Sequence, residues 1–451
     1  MAKKVKVTII GGGSAKWCPK LLNDIMHKEK LRGTEFRLLD IDLEAAERMA
    51  KLGRTISKNG KYDCTFIPTK DEDEALDNTD SVIITISTGG LDTMEHDLKI
   101  PEKYGIFQTV GDTVGPGGWA RGLRNIPVFI HFAEKIKKNA PDAVIINYSN
   151  PMATLTKVLT MFTPQKVVGL CHGVFENYKV LMDIFGLKKE DELKVKFGGV
   201  NHFFWFLDIK IHGQDGYKIL RDKLRNKHLT DLINEIHKDE AGFSSNSWIA
   251  GELFNEFGYL PYTGDRHISE FFSRYLAPDE TNIKKYKLSR TTIEERREGE
   301  QHSIKQVEDA ISADEGWKHK VSREAVADII EAFACGGEFI DVMNVSNTGQ
   351  ISNLPYGAVV ETLGVINPCG FTPLTVGKLP EQVLGLVMPH AINQQLIVEA
   401  GIEGDFEKAF AGLANDPLCS HLTYPDVHRM GKELLEANRK YLPQFFKKKS
   451  I

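Results

Sequence analysis

Cys171-His172-Gly173-Val174 places a thiol and an imidazole at the end of an apolar run, Lys166-Val167-Val168-Gly169-Leu170. The run reads as a buried strand. Side chains at the C-terminal end of such a strand point into the crevice where open α/β sheets bind ligands. A further imidazole, His202, follows Asn201. A thiolate with an imidazole suits a divalent transition metal, and two protein donors leave positions open for water and substrate oxygens. The 31 residues between Cys171 and His202 are not a metal-ligand spacing, and a buried structural thiol with a core histidine is the plain alternative. The expected cleft position of both residues favours the metal.

Gly11-Gly12-Gly13-Ser14 separates a β-branched run, Val5–Ile10, from a helical stretch over about Trp17–His27. Glycines at that junction let the backbone approach a pyrophosphate, which the helix N-terminus stabilises. The third glycine of the dinucleotide fingerprint is replaced, since position 16 is Lys. Asp40 ends the next strand, where a carboxylate binds a ribose 2′-hydroxyl and repels a 2′-phosphate. It stands 27 residues after Gly13, beyond the usual interval of about 20, so the first crossover is long. Asp40 could instead cap the following helix, a role Asp42 could fill equally. Together these residues predict NAD rather than NADP, with Ser87, after the fourth strand, and Asn147 as further cofactor contacts. Asn147-Tyr148-Ser149-Asn150-Pro151 resembles the lactate and malate dehydrogenase class, in which the asparagine lies beside the nicotinamide.

Two more strings could bind an anion or move a proton. Gly111–Arg124 is dense in Gly and Arg and predicts a segment that closes over a ligand before a helix starting near Asn125, with arginines clamping an anion. Tyr262–Phe271 offers Asp265, Arg266 and His267. Its plainer reading is a capped helix start at Asp265 with Glu270 facing solvent.

The elements that must position these groups follow from periodicity. Strands are expected at Val5–Ile10, Phe36–Asp40, Cys64–Ile67, Ser81–Ile86, Ala143–Asn147 and the run before Cys171, alternating with helices such as Leu43–Lys58. That alternation predicts a Rossmann-type, doubly wound parallel sheet, lactate/malate dehydrogenase-like. After about residue 195 the pattern changes to mixed strands, such as Phe203–Ile211, and long helices. We therefore expect an NAD-binding domain over 1–195 and a C-terminal α+β domain over 196–451, carrying substrate, metal and oligomer contacts.

Composition narrows the function classes. The 451 residues are 41% hydrophobic and 26% charged, with a net charge of -5, the balance of an ordinary globular protein and not of a nucleic-acid binder. The six cysteines form no CxxC pair. No apolar run approaches a transmembrane length, and the first strand begins too early for a signal peptide. A cytoplasmic protein with no nucleic-acid or membrane partner is expected.

The motifs in this order resemble glycoside hydrolase family 4: Gly11–Ser14, Gly115–Arg124, Asn147–Met152, Cys171-His172-Gly173, Asn201-His202, Asn353-Leu354-Pro355 and Gly377–Pro380. The resemblance spans essentially the whole chain. It implies an NAD- and Mn2+-dependent redox route, outside the usual two-carboxylate mechanism. NAD+ takes hydride from C3 of the sugar, the C2 proton is removed, the glycosidic oxygen leaves, water adds at C1 and the redox step reverses. It implies Cys171 and His202 as metal ligands and Asn150 as a substrate contact. His172 stands where phosphoglycoside-cleaving members carry Asp or Asn, so a part in leaving-group protonation is implied. Asp265 is assigned as the base, with Tyr262 as its competitor. Cys-His-Gly is similar to the uronide-cleaving members, and Val174 to the α-galacturonidases, with α-glucuronidase as the alternative. Arg121, Arg124 or Arg266 would hold the uronate carboxylate. A short uronic-acid oligosaccharide is the expected substrate, and a homodimer or homotetramer the expected assembly. A lactate- or malate-type dehydrogenase and a non-enzymatic nucleotide sensor are the competing classes.

Overall fold

The computed structural model describes residues 4–171, 173–238, 247–313 and 320–446. His172 and the Lys447–Lys449 tail lie outside the described residues. The strands are β1 Lys6–Ile10, β2 Glu35–Leu39, β3 Thr65–Thr69, β4 Ser81–Ile84, β5 Val144–Asn147 and β6 Lys166–Gly169, then β7 Leu193–Val200, β8 Phe203–Ile211, β9 Gln214–Asp215, β10 Phe339–Ser346, β11 Val359–Asn367 and β12 Gly370–Pro373. They form one sheet in the order β3-β2-β1-β4-β5-β6-β10-β11-β7-β8-β9, with β12 on β11.

The first six strands pair in parallel, in the order of a doubly wound fold. The inner strands β1, β4 and β5, with β6, are mostly buried Val and Ile, as expected where helices cover both faces. From β6 onward the pairing is antiparallel, so β10, β11, β7 and β8 extend the same sheet past residue 195.

One transverse row of this sheet organises the site. Its register runs Leu39–Ile10–Ile84–Asn147–Gly169 across the parallel half. It continues through Asn344, Glu361, Gly199 and Phe204. Each parallel strand ends at or near this row. The loops that follow carry Gly11, Asp40, Ser87, Asn150 and Cys171, which is the carboxyl-end crevice of an open α/β sheet. The two-residue turn between β7 and β8 adds Asn201 and His202 to the same rim.

The structure corrects the reading of Gly111–Arg124. The helix expected near Asn125 begins at Gly115 and runs to Asn139. Pro116 sits in its first turn, where its missing N–H is no loss. The Gly117 N–H donates to Gln108 Oε1 (2.8 Å) and the Gly115 N–H to Asp416 Oδ2 (2.9 Å). A Cβ on Gly118 would lie 2.4 Å from the Thr113 carbonyl carbon. These glycines therefore serve close packing of the 108–114 loop against a helix start.

Candidate active site

The glycine turn is built as a cradle. Gly11 takes φ +90°, and a Cβ there would lie 2.4 Å from the Thr85 carbonyl oxygen. A Cβ on Gly13 would come within 2.7 Å of Ala45 Cβ and 2.9 Å of Asp40 Oδ2. The Gly13 N–H donates to Asp40 Oδ2 (2.8 Å), and Ser14 closes the turn by accepting the Trp17 N–H (3.2 Å). Asp42, not Asp40, caps the helix Leu43–Gly60, accepting the N–H groups of Glu44 and Ala45. Asp40 is thereby free of capping and is held at the turn. Beside it, Ile41 is 94% exposed and offers an apolar surface to a base ring. The surface itself is what a dinucleotide needs, and these residues fit one. Ser87 is half-buried at the start of the loop after β4.

Asn147 does not face that space. Its side chain is fully buried, with Nδ2 donating to Thr156 Oγ1 (3.1 Å) and Oδ1 accepting the Ser149 N–H (2.8 Å). Its carbonyl accepts the Leu170 N–H (3.0 Å). It therefore shapes the loop after β5 instead of touching a cofactor. That loop delivers Asn150, whose Nδ2 is 3.4 Å from Asp112 Oδ2 and whose buried Oδ1 has no partner among the described residues. An orphaned buried acceptor is costly, and a ligand hydroxyl would relieve it.

Cys171 Sγ and His202 Nε2 lie 3.0 Å apart. His202 adopts φ +62°, a left-handed conformation uncommon outside glycine, at the tip of the β7–β8 turn. Its Nδ1 is 3.2 Å from Thr113 Oγ1, an orienting contact that leaves Nε2 for coordination. The His267 ring stacks on it at 4.0 Å and the Tyr262 ring at 6.0 Å. Burial, then Glu361, push the Cys171 thiol well up. Among the described residues no group of three or more His, Cys, Asp or Glu converges on one point. The donor set, one thiol and one imidazole, still fits a transition metal with open positions.

Asp112 is the electrostatic centre. Burial pushes its carboxyl up, but Arg121, His267, His202 and Arg296 outweigh burial and hold it well below the usual carboxylate range. Lys16 at the exposed rim is also within reach of Asp112, Arg266 and Arg296. Arg121 Nε donates to the Asn150 carbonyl (2.9 Å). The Nε atoms of Arg266 and Arg296 have no partners among the described residues. Glu270 acts on Asp112 and Arg296 as well, and the four cations Arg121, Arg266, Arg296 and Lys16 outnumber these two carboxylates.

Two further expected site residues, besides Asn147, serve the scaffold. Arg124 is fully buried and bidentate to Asp97, with bonds of 2.8 and 2.6 Å, and its Nε donates to the Thr88 carbonyl (2.9 Å). No donor pair is left for a substrate carboxylate. Asp265 accepts the backbone N–H groups of Ile249 on Oδ2 (2.8 Å) and Ala250 on Oδ1 (3.0 Å). It caps the helix Trp248–Phe257 from a distance, and burial pushes it up to about 7. Tyr262 is buried beside the pair instead. Its hydroxyl donates to Glu176 Oε2 (3.1 Å), and a Cβ on Gly173 would lie 3.3 Å from that hydroxyl.

Glu270 corrects another expectation, that it faces solvent. It is buried and accepts the N–H groups of Val110 (2.7 Å) and Gly111 (2.8 Å). It therefore ties the Gly111 string to the Tyr262 string. Asp112, Thr113 and Arg296 were not singled out by sequence. Arg296 sits in Glu294-Glu295-Arg296-Arg297, which carries no signal beyond a solvated helix face. Thr113 and Asn201 also line a small pocket that has Asn393 in its wall. Both amide atoms of Asn393 lack partners among the described residues, which suits water.

The pattern of "Family 4 glycosyl hydrolase" matches residues 6–187, and that of "Family 4 glycosyl hydrolase C-terminal domain" residues 197–419. The chain is 34% identical to the α-galacturonidase of Thermoanaerobacterium saccharolyticum, over 97% of this chain and 96% of that one. A crystal structure of lplD from Bacillus subtilis superposes with a TM-score of 0.86 at 32% identity, covering 96% of this chain and 100% of that one. A 6-phospho-α-glucosidase from gut microorganisms, crystallised with NAD and Mn2+, shares the fold with a TM-score of 0.79 at 23% identity, covering 98% and 100% of the two chains.

Proposed function

Because the chain belongs to family 4 of the glycosyl hydrolases, we propose that it is an α-galacturonidase acting on short uronic-acid oligosaccharides and requiring NAD and a divalent cation such as Mn2+. The observation that carries the substrate class is the excess of cations. Arg121, Arg296 and Lys16 act on Asp112, Arg266 lies within reach of Lys16, and Glu270 is the second carboxylate of the cluster, so four cations face two carboxylates. A crevice so charged favours an anionic sugar over a neutral one, and the unpartnered guanidinium nitrogens of Arg266 and Arg296 suit a uronate carboxylate.

When bound, NAD+ supplies a hydride acceptor and the cation a Lewis acid beside it. The Gly11–Ser14 turn and Asp40 would hold the pyrophosphate and ribose, with Ile41 and Ser87 as further contacts. Cys171 and His202 hold the cation, and Thr113 fixes the imidazole ring. Asn150 Oδ1 accepts a sugar hydroxyl. Tyr262 takes the C2 proton on its phenolic oxygen as its own proton passes to Glu176 Oε2, the acceptor of its hydroxyl hydrogen bond; it lies beside His202, whereas both carboxylate oxygens of Asp265 receive backbone N–H groups. His172 protonates the leaving oxygen. A dimer or tetramer in a reducing, cytoplasmic setting belongs to the same proposal. The six cysteines are free thiols, and among the described residues no helix is long and apolar enough to cross a membrane.

A panel of 4-nitrophenyl glycosides assayed with NAD+, Mn2+ and reductant tests this reading. Turnover should be fastest on the α-galacturonide, slower on the α-glucuronide and negligible on neutral or 6-phosphorylated sugars. Preference for either of the last two classes, or net accumulation of NADH, would count against it.

A further inference from the structure

Glu361 has no part in the chemistry above, yet it lies beneath it. It sits in the transverse row of the sheet, opposite Asn344 on one side and Gly199 on the other. Its side chain is wholly buried. Oε2 accepts a hydrogen bond from Asn201 Nδ2 (2.9 Å), while Oε1 has no partner among the described residues. Burial pushes this carboxyl up to about 7; against burial act only the Asn201 and Asn344 amides and the His202 backbone, and no cation is among them. The Asn201 amide also reaches Cys171, and the Glu361 charge is felt at both Cys171 and Tyr262.

A buried carboxylate held only by amides is expensive for a fold to keep, and buried charges are ordinarily paired or placed against metals. A glutamine would satisfy Asn201 equally well, so the hydrogen bond alone does not call for an acid here. What distinguishes Glu361 is where its charge lies, behind the Cys171–His202 pair. Among the described residues it is not one of three converging His, Cys, Asp or Glu side chains.

We propose that Glu361 is a positioning residue for the metal centre: it fixes the Asn201–His202 turn and sets a negative charge behind Cys171 and His202 that a divalent cation neutralises. This rests on the reading that Cys171 and His202 hold that cation. Outer-shell partners of this kind commonly govern metal affinity by about 10–100-fold.

The test is Mn2+ titration calorimetry on the full chain carrying Glu361→Gln, with NAD+ affinity and thermal unfolding measured in parallel. Mn2+ binding should weaken by about 10–100-fold, NAD+ affinity should hold within about twofold, and the rise in Tm that Mn2+ gives should shrink. Glu361→Asp, which restores the charge, should recover part of the Mn2+ affinity. A folded Glu361→Gln protein that binds Mn2+ as tightly as the parent, or loses NAD+ and Mn2+ affinity alike, overturns the proposal. If Glu361→Gln does not fold, Asn201→Ser keeps the charge and removes the link to the turn, and should still lose Mn2+ affinity selectively; unchanged affinity there overturns the proposal too. Parent protein that binds no Mn2+, or Cys171→Ser that binds it equally well, sinks the metal reading itself rather than the role of Glu361.

Discussion

Removing the Arg124 side chain is expected to cost stability and to leave the preference for uronides intact. Arg124 and Asp97 are both fully buried and joined by two hydrogen bonds, of 2.8 and 2.6 Å. Burial pushes Asp97 up in spite of Arg124, so the pair's attraction does not fully offset its desolvation. Such pairs add little over apolar replacements, but breaking one strands a buried charge at about 3–5 kcal/mol. With an unfolding entropy of about 2 cal/mol/K per residue, a chain of 451 residues loses roughly 1 °C of Tm per kcal/mol. Arg124→Ala should therefore lower Tm by about 3–5 °C. Arg124→Met combined with Asp97→Leu should recover much of that loss, because neither charge is then left alone. The single variant should also weaken NAD+ binding, since Arg124 holds the Thr88 carbonyl in the loop after β4. Thermal unfolding, and the ratio of kcat/KM on the α-galacturonide to that on the α-galactoside, are the readouts. Unchanged Tm with a collapsed ratio would show that Arg124 binds substrate and that the reasoning is wrong.

Other expectations follow from the same geometry. Tyr262→Phe should suppress exchange of the C2 proton with solvent by about 100-fold or more, whereas Asp265→Asn should keep exchange and lose about 1 kcal/mol of stability or more, because its amide NH2 would face a backbone N–H that the carboxylate now accepts; the reverse pattern in an NMR exchange assay restores Asp265 as the base. Because burial and Glu361 push the Cys171 thiol well up, a metal must displace its proton, and Mn2+ affinity should rise about tenfold per pH unit. Calorimetry from about pH 6 to about pH 8 that gave a flat dependence would exclude a thiolate ligand. Glu270 is pushed up to about 7 by burial, so the folded state binds its proton more tightly than the unfolded chain. Its contribution to stability is full below about pH 4 and is lost as pH rises through about 7; Glu270→Gln should flatten that part of the stability–pH curve, and an unaltered slope in urea titrations would contradict it. Gly13→Ala should abolish NAD+ binding, because its Cβ would meet Ala45 and Asp40, and retained affinity by fluorescence titration would rule out the cradle.

The parallel half of the sheet was legible because its strands are short β-branched runs closed by Gly, Asp and Asn, and both faces of such a sheet are apolar. The pairing of Cys171 with His202 was legible from their positions at strand ends, although their spacing was silent. The continuation of the sheet from β6 into β10 was not legible, because it joins Gly169 to Asn344 across 175 residues. Arg124 and Asn147 carry the chemistry of ligands, and only their burial shows that Asp97 and Thr156 already occupy them. Asp112 was hidden within a glycine-rich string, and Arg296 within an ordinary charged helix. Their importance comes from neighbours that are distant in sequence.

The proposed hydrolysis runs through reversible oxidation of the sugar with loss of its C2 proton. Turnover of an α-galacturonide in D2O, followed by mass spectrometry and NMR of the released galacturonate, tests it most directly. The product should carry deuterium at C2 in reactions that need both NAD+ and Mn2+, with no net NADH formed. Product released without deuterium at C2, or NADH formed in proportion to substrate, would contradict the account.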